Sequence, residues 1–203
     1  MKITPMPRLL PIDERLERAA QLVVRTRIFY DLWLYFEDKH PPAIFDVMED
    51  FSEFFRFEPH AHFVAFVVHI AALFEKRRDT INLPSLAKEM KAANLISAQG
   101  ATEVDALLSQ AEQLASKVII LRSNLFAHRS ATLSYADAFK KAAVTSNQLR
   151  DLTETALKIA NRLLVVRGLS DHFFNPLPRE HAEAMLTALM QKNPNSKRTR
   201  RAE

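Results

Sequence analysis

Residues 118–130 read Val-Ile-Ile-Leu-Arg-Ser-Asn-Leu-Phe-Ala-His-Arg-Ser and close the longest unbroken helical pattern in the chain. Leading into them, Val104, Leu107, Leu108, Ala111, Leu114, Val118, Leu121 and Leu125 recur at steps of three and four. That is the spacing of one helix face, and it predicts a helix over about 102–128. At its end Arg122, Asn124 and His128 stand on or beside the apolar face. Helical residues turn by roughly 100° each, which sets Arg122 and His128 about 60° to either side of Leu125. Asn124 falls on the side of His128. An arginine buried without a partner is costly. The fold must therefore supply Arg122 with a partner, a wet cleft or a second subunit. A phosphate would be one such partner, because the guanidinium is a planar fork. Histidine is the side chain most able to move a proton near neutral pH.

The same periodicity read outward gives an all-α chain. Pro5, Pro7 and Pro11 make an extended lead-in, and Asp13 is a plausible cap for a first helix running to about Lys39. Its stripe is Ala19, Leu22, Thr26, Phe29, Trp33 and Phe36. Pro41-Pro42 stops it. A second helix over about 43–56 places Ile44, Val47, Met48, Phe51, Phe54 and Phe55 on one side, with Asp46, Glu49, Asp50 and Glu53 opposite. A third is expected to start at Pro59, point Phe63, Phe66, Val67, Ile70, Leu73 and Phe74 inward, and end in Lys76-Arg77-Arg78. A short helix follows at about 85–93, then the long one at 102–128, with a box-like Ser-Tyr-Ala-Asp at 134–137. Another spans about 146–167, with Gly168 as its terminator, and the last about 178–191. No repeat and no strand run is visible. The fold class is an all-α helical bundle of about five long and two short helices. Residues 12–190 form one domain, and 191–203 a basic disordered tail.

Charge and composition narrow the function. The net charge of +4 resides in the last thirteen residues, where Lys192, Lys197, Arg198, Arg200 and Arg201 face only Glu203. The body is neutral, so the high isoelectric point is no argument that it binds nucleic acid. Gly100 and Gly168 are the only glycines in the chain. Walker loops, dinucleotide fingerprints and nucleophile elbows need glycines at close spacing, and none can form. With no cysteine, disulfides, zinc thiolates and cysteine nucleophiles are excluded. Asp13, Glu14 and Glu17 come too soon after Met1 for a signal peptide. The most apolar run, 63–74, is too short to span a bilayer. The expectation is a soluble cytoplasmic protein with no membrane partner.

Rival constellations are poorer. The acidic face at 46–53 has the pattern of a solvated helix side. His62 and His69 share a face but lack carboxylates at ligand spacing, so no metal and no cofactor is expected. A helix-turn-helix over 83–108 would carry Glu103, Asp105 and Glu112 on its recognition helix, which repels phosphate. The arginine–histidine spacing itself is not selective, since Arg56 with His62 and Arg167 with His172 repeat it. From residues alone, Arg122 and His128 suit either a metal-free phosphodiester site or a helix-capping arginine beside a satisfied core histidine.

A resemblance sharpens this. Leu-Arg-Ser-Asn-Leu-Phe-Ala-His-Arg, residues 121–129, resembles the signature of HEPN domains, closest to the abortive-infection U-type branch. Upstream, Ala-Leu-Phe-Glu-Lys-Arg-Arg-Asp-Thr-Ile-Asn-Leu, residues 72–83, is similar to a second segment of that branch. The two segments and the helices between them cover about 15–167. The resemblance implies a helical bundle that pairs as a homodimer, bringing two Arg/His motifs to one cleft. It implies metal-independent endoribonuclease activity on RNA, of a phage-defence or toxin–antitoxin type with an antitoxin partner. Carried over, Arg122 would hold the scissile phosphate and His128 would be general base or acid as the 2′-hydroxyl attacks. Asn124 would orient the phosphate or His128, and Arg129, Ser123, Arg77 and Arg78 would meet the nucleic-acid backbone. Where members commonly have Asn, Asp or His directly after the arginine, this chain has Ser123. The alternative the resemblance leaves open is a non-catalytic nucleotide-binding or protein-interaction module.

Overall fold

The computed structural model describes residues 9–77, 79–123, 137, 140 and 142–192. Among them lie seven helices and no strand: α1 (Ile12–Glu37), α2 (Pro42–Asp50), α3 (Ser52–Phe74), α4 (Leu83–Ala92), α5 (Ala98–Leu121), α6 (Ser146–Val166) and α7 (Leu177–Lys192). Five are long and two short, but the second helix, expected over about 43–56, ends at Asp50 and is one of the short ones. Of the expected basic tail, 191–203, Gln191 and Lys192 end the last helix and the rest lies outside the described residues, as does all of the box-like 134–137 except Asp137.

Four helices make the main core. α1 packs on α3 and α6, and α5 closes the ring against α6 and α3. Leu16, Val23, Phe66, Ile70, Val118, Leu121, Leu152 and Ile159 are at most 1% exposed there. α4 covers one end of this ring. At the other end α2 and α7 pack together beside α1, over a small second core of Tyr35, Phe36, Val47, Phe55 and Leu186. Two buried hydroxyls in this core are satisfied by backbone carbonyls. The Thr26 hydroxyl donates to the Leu22 carbonyl at 2.6 Å, and Tyr30 donates to the Ser146 carbonyl at 3.0 Å.

Helix ends follow capping chemistry. Asn82 and Ser97 accept from the backbone N–H of Ser85 and Gly100, starting α4 and α5. Thr145 and Gln148 form a reciprocal box at the head of α6, which the sequence reading passed over. Gly168, at φ +71°, ends α6. Its N–H reaches the Val165 carbonyl at 3.0 Å, and the Leu169 N–H reaches the Leu164 carbonyl at 3.1 Å. That is the two-bond C-terminal motif that needs a left-handed residue.

Three expectations are corrected. Asp13 does not cap α1, which has no side-chain cap; its carboxylate binds Arg167 instead. The third helix begins at Ser52, not Pro59. The break comes at Phe51 (φ −112°, ψ 38°), and Pro59 sits inside α3. Proline removes one ladder bond there, but Pro59 is buried on the same side as Phe55 and Phe63, and that packing keeps the helix continuous. The broken register also turns Phe51 and Phe54 outward, 46% and 54% exposed, although the sequence placed them on an inward face.

Candidate functional site

The helical backbone of α5 continues into Arg122 (φ −54°, ψ −48°), with Val118 and Leu121 anchoring the turn before it in the core. Arg122 is thereby delivered to the end of α3. There the chain leaves the helix at Glu75 (φ −71°, ψ 121°), whose N–H still closes on the Ala71 carbonyl at 2.9 Å. The two side chains meet as parallel forks. Arg122 Nη1 donates to Glu75 Oε2 at 2.5 Å, and Nη2 donates to Oε1 at 3.0 Å. Two-point pairs of this kind fix orientation as well as charge.

The pair joins the two segments singled out in the sequence, 72–83 and 121–129. Both side chains are about a quarter exposed. The hydrogen bonds from Arg122 hold the Glu75 carboxyl below its usual range, and the charges of Arg122 and Arg77 add to this. The same bonds raise the guanidinium, against burial and the opposing charge of Arg77. Arg122 Nε is buried and has no hydrogen-bond partner among the described residues.

The loop from Glu75 to α4 is tied by Asn82, which is fully buried. Its Nδ2 donates to the Arg77 carbonyl at 2.7 Å and the Thr80 carbonyl at 3.2 Å, while Oδ1 caps α4. Arg77 itself is exposed and pairs with Asp79. Next to Glu75 a cleft of about 440 Å³ opens between the 74–84 loop and α5. Phe74, Pro84, Leu108 and Ile119 give it apolar walls, with Glu112 and Asp105 on the α5 side. Those two carboxylates are paired with Lys76 and Lys91. A second cleft of about 910 Å³ shares Lys76 and Pro84 and runs on past Asp79 toward Leu9 and Arg15.

Of the residues predicted for the site, the structure brings Arg122, Ser123 and Arg77 to one end of the bundle, with Ser123 half-buried. Asn124, His128, Arg129 and Arg78 lie outside the described residues. Glu75 and Asn82 were missed as functional residues, although both stand within the quoted segment. The signal for Glu75 was the need of Arg122 for a partner. The other two arginine–histidine spacings are resolved without a site. Arg167 pairs with Asp13 and His172 with Glu17, both bracing α1. His62 binds Glu58 within its own helix, six residues on from Arg56. Among the described residues no three His, Asp or Glu side chains are grouped to hold a metal ion.

The family model of AbiU2, a HEPN family, matches residues 9–185, most of the chain. The protein is an AbiU2-family HEPN domain. No curated protein and no solved structure matches it. In this HEPN domain the matched span takes in all of α1 to α6, both signature segments and the Glu75–Arg122 pair that links them.

Proposed function

We propose that this AbiU2-family HEPN domain is a metal-independent endoribonuclease of a prokaryotic phage-defence or toxin–antitoxin type, restrained by an antitoxin protein. The observation that supports it best is Arg122, held end-on by Glu75, a residue that itself lines an open cleft. Glu75 takes two of the five N–H donors that a guanidinium carries and fixes the plane of the fork. In the proposed reaction Arg122 binds a non-bridging oxygen of the scissile phosphate. His128 takes the proton from the 2′-hydroxyl, whose oxygen attacks phosphorus; the P–O5′ bond breaks, and the leaving 5′-oxygen takes a proton from water. The products are a 2′,3′-cyclic phosphate and a 5′-hydroxyl. Asn124 orients the phosphate or His128, and Ser123, Arg129, Arg77 and Arg78 follow the backbone. Two copies of 118–130 share one cleft. The test is incubation of mixed RNA with the purified chain in EDTA, beside the same strands as DNA. The proposal expects RNA cut to cyclic-phosphate ends and DNA left whole; intact RNA at enzyme excess refutes it.

A second reading has its own observation. The carboxylate of Glu75 already occupies the Arg122 fork in the two-point geometry a phosphate would use. On this reading the domain is a non-catalytic interaction module and Arg122 staples α5 to α3. It expects no cleavage and no RNA retention at low salt.

A further inference from the structure

Helix α3 is apolar on both sides, and only one side is used. Its inner face, Phe63, Phe66, Ile70 and neighbours, fills the core. On the opposite side, every residue within about 40° of Ala61 is apolar by helical geometry: Phe54, Phe57, Ala61, Ala65, Val68 and Ala72. Phe54, Phe57 and Val68 are 54%, 59% and 37% exposed, and Ala61 is exposed between them. A helix apolar all round is normally buried all round, and a continuous apolar stripe of this size marks an interaction surface.

The order of sizes along the stripe is self-complementary. Phe54 and Val68 are equidistant in sequence from Ala61, and so are Phe57 and Ala65. We propose that a second copy of the chain docks here, α3 antiparallel on α3 about a two-fold axis at Ala61. Each Phe54 then packs on the partner's Val68 and each Phe57 on the partner's Ala65. The small Ala61 side chains at the crossing let the helices approach at the close end of the usual 8–10 Å range. This is an isologous contact, in which one patch serves both chains.

The area suffices. Phe51, Phe54, Phe57 and Val68 expose on the order of 350 Å² per chain, taking about 200 Å² for a whole phenylalanine. With the intervening alanines and Val64, pairing hides roughly 900 Å² in total, close to the ~1,000 Å² of a specific interface. Charge argues against a lipid surface as the occupant. Helices that lie on membranes flank the apolar side with Lys and Arg. α3 flanks it with Glu53 and Glu58, and the adjoining α2 adds Asp46, Glu49 and Asp50. The contact is separate from the Arg122 site, since Glu75 lies roughly 20 Å along the helix axis from Ala61.

The test uses the full chain and light scattering. Ala61→Asp, with folding checked by circular dichroism, is expected to lower the native mass, to half where the wild type is a closed dimer or tetramer. Because the protein has no cysteine, Ala61→Cys is expected to form a disulfide-linked dimer under mild oxidation, and Lys158→Cys on the exposed side of α6 is expected to form none. If Ala61→Asp does not fold, the cross-link decides. An unchanged mass in Ala61→Asp, or no cross-link in Ala61→Cys, overturns the proposal. So does a wild-type monomer that floats with phosphatidylcholine vesicles.

Discussion

Removing Glu75 measures how firmly α5 is tied to the end of α3. The side chains of Arg122 and Glu75 are 22% and 25% exposed and share two hydrogen bonds. A fully exposed ion pair contributes about 0.2–1 kcal/mol, and breaking a fully buried one costs about 3–5 kcal/mol. A pair three-quarters buried with two charge-assisted bonds falls between these, and Glu75→Ala is expected to lose about 2 kcal/mol. Part of that is the stranded Arg122, so the pairwise term must come from a cycle with Arg122→Ala, where about 1–1.5 kcal/mol of coupling is expected. The assay is urea unfolding followed by circular dichroism at pH 7. The pH dependence has a definite sign. Glu75 is held below its usual carboxyl range when folded, so its contribution is full above the unfolded value of about 4.3. It is lost as pH falls through the lower folded value. A coupling below about 0.3 kcal/mol, the limit for independent sites, would refute the reading of Glu75 as the partner of Arg122.

Other substitutions probe the frame that presents the site. Gly168→Ala forces a β-carbon into the left-handed region at φ +71°; thermal unfolding is expected to show a loss of about 1 kcal/mol. Asn82→Ala strands the Arg77 and Thr80 carbonyls and uncaps α4. About 2–3 kcal/mol is expected, with faster amide exchange confined to the 76–86 region. Phe66→Ala empties a fully buried position between α1 and α3, and denaturant unfolding should show a loss of about 3–5 kcal/mol.

Much of the bundle could be read from the sequence because each long helix has one apolar stripe and a stop. The inward residues of α5 and α6 follow from spacing alone, whereas the α1 stripe took in the half-buried Leu22, Phe29 and Trp33 and missed Leu16, Ala20, Val23 and Tyr30, which fill the core. In α3 the inward Phe63, Phe66, Val67, Ile70, Leu73 and Phe74 also follow from spacing, but Phe54, Phe57 and Val68 make its outer face apolar too. Pro59 then drew the boundary to the wrong place. Proline rules describe local cost, and the packing of Phe55 and Phe63 around it is a tertiary gain no local rule contains. The site was half legible. That Arg122 required a partner followed from its place on an apolar stripe. That the partner is Glu75, 47 residues upstream, depends on where α3 ends relative to α5, and spacing within one helix cannot supply that.

The central functional claim is that Arg122 and His128 cleave RNA without a metal. The most direct measurement is the rate of RNA decay in EDTA for the wild type, Arg122→Ala and His128→Ala, each purified alike and checked for native circular dichroism. The account predicts rapid decay with the wild type and a loss of at least about 100-fold in each variant, the scale of a general acid–base contribution. Equal decay in all three would contradict it.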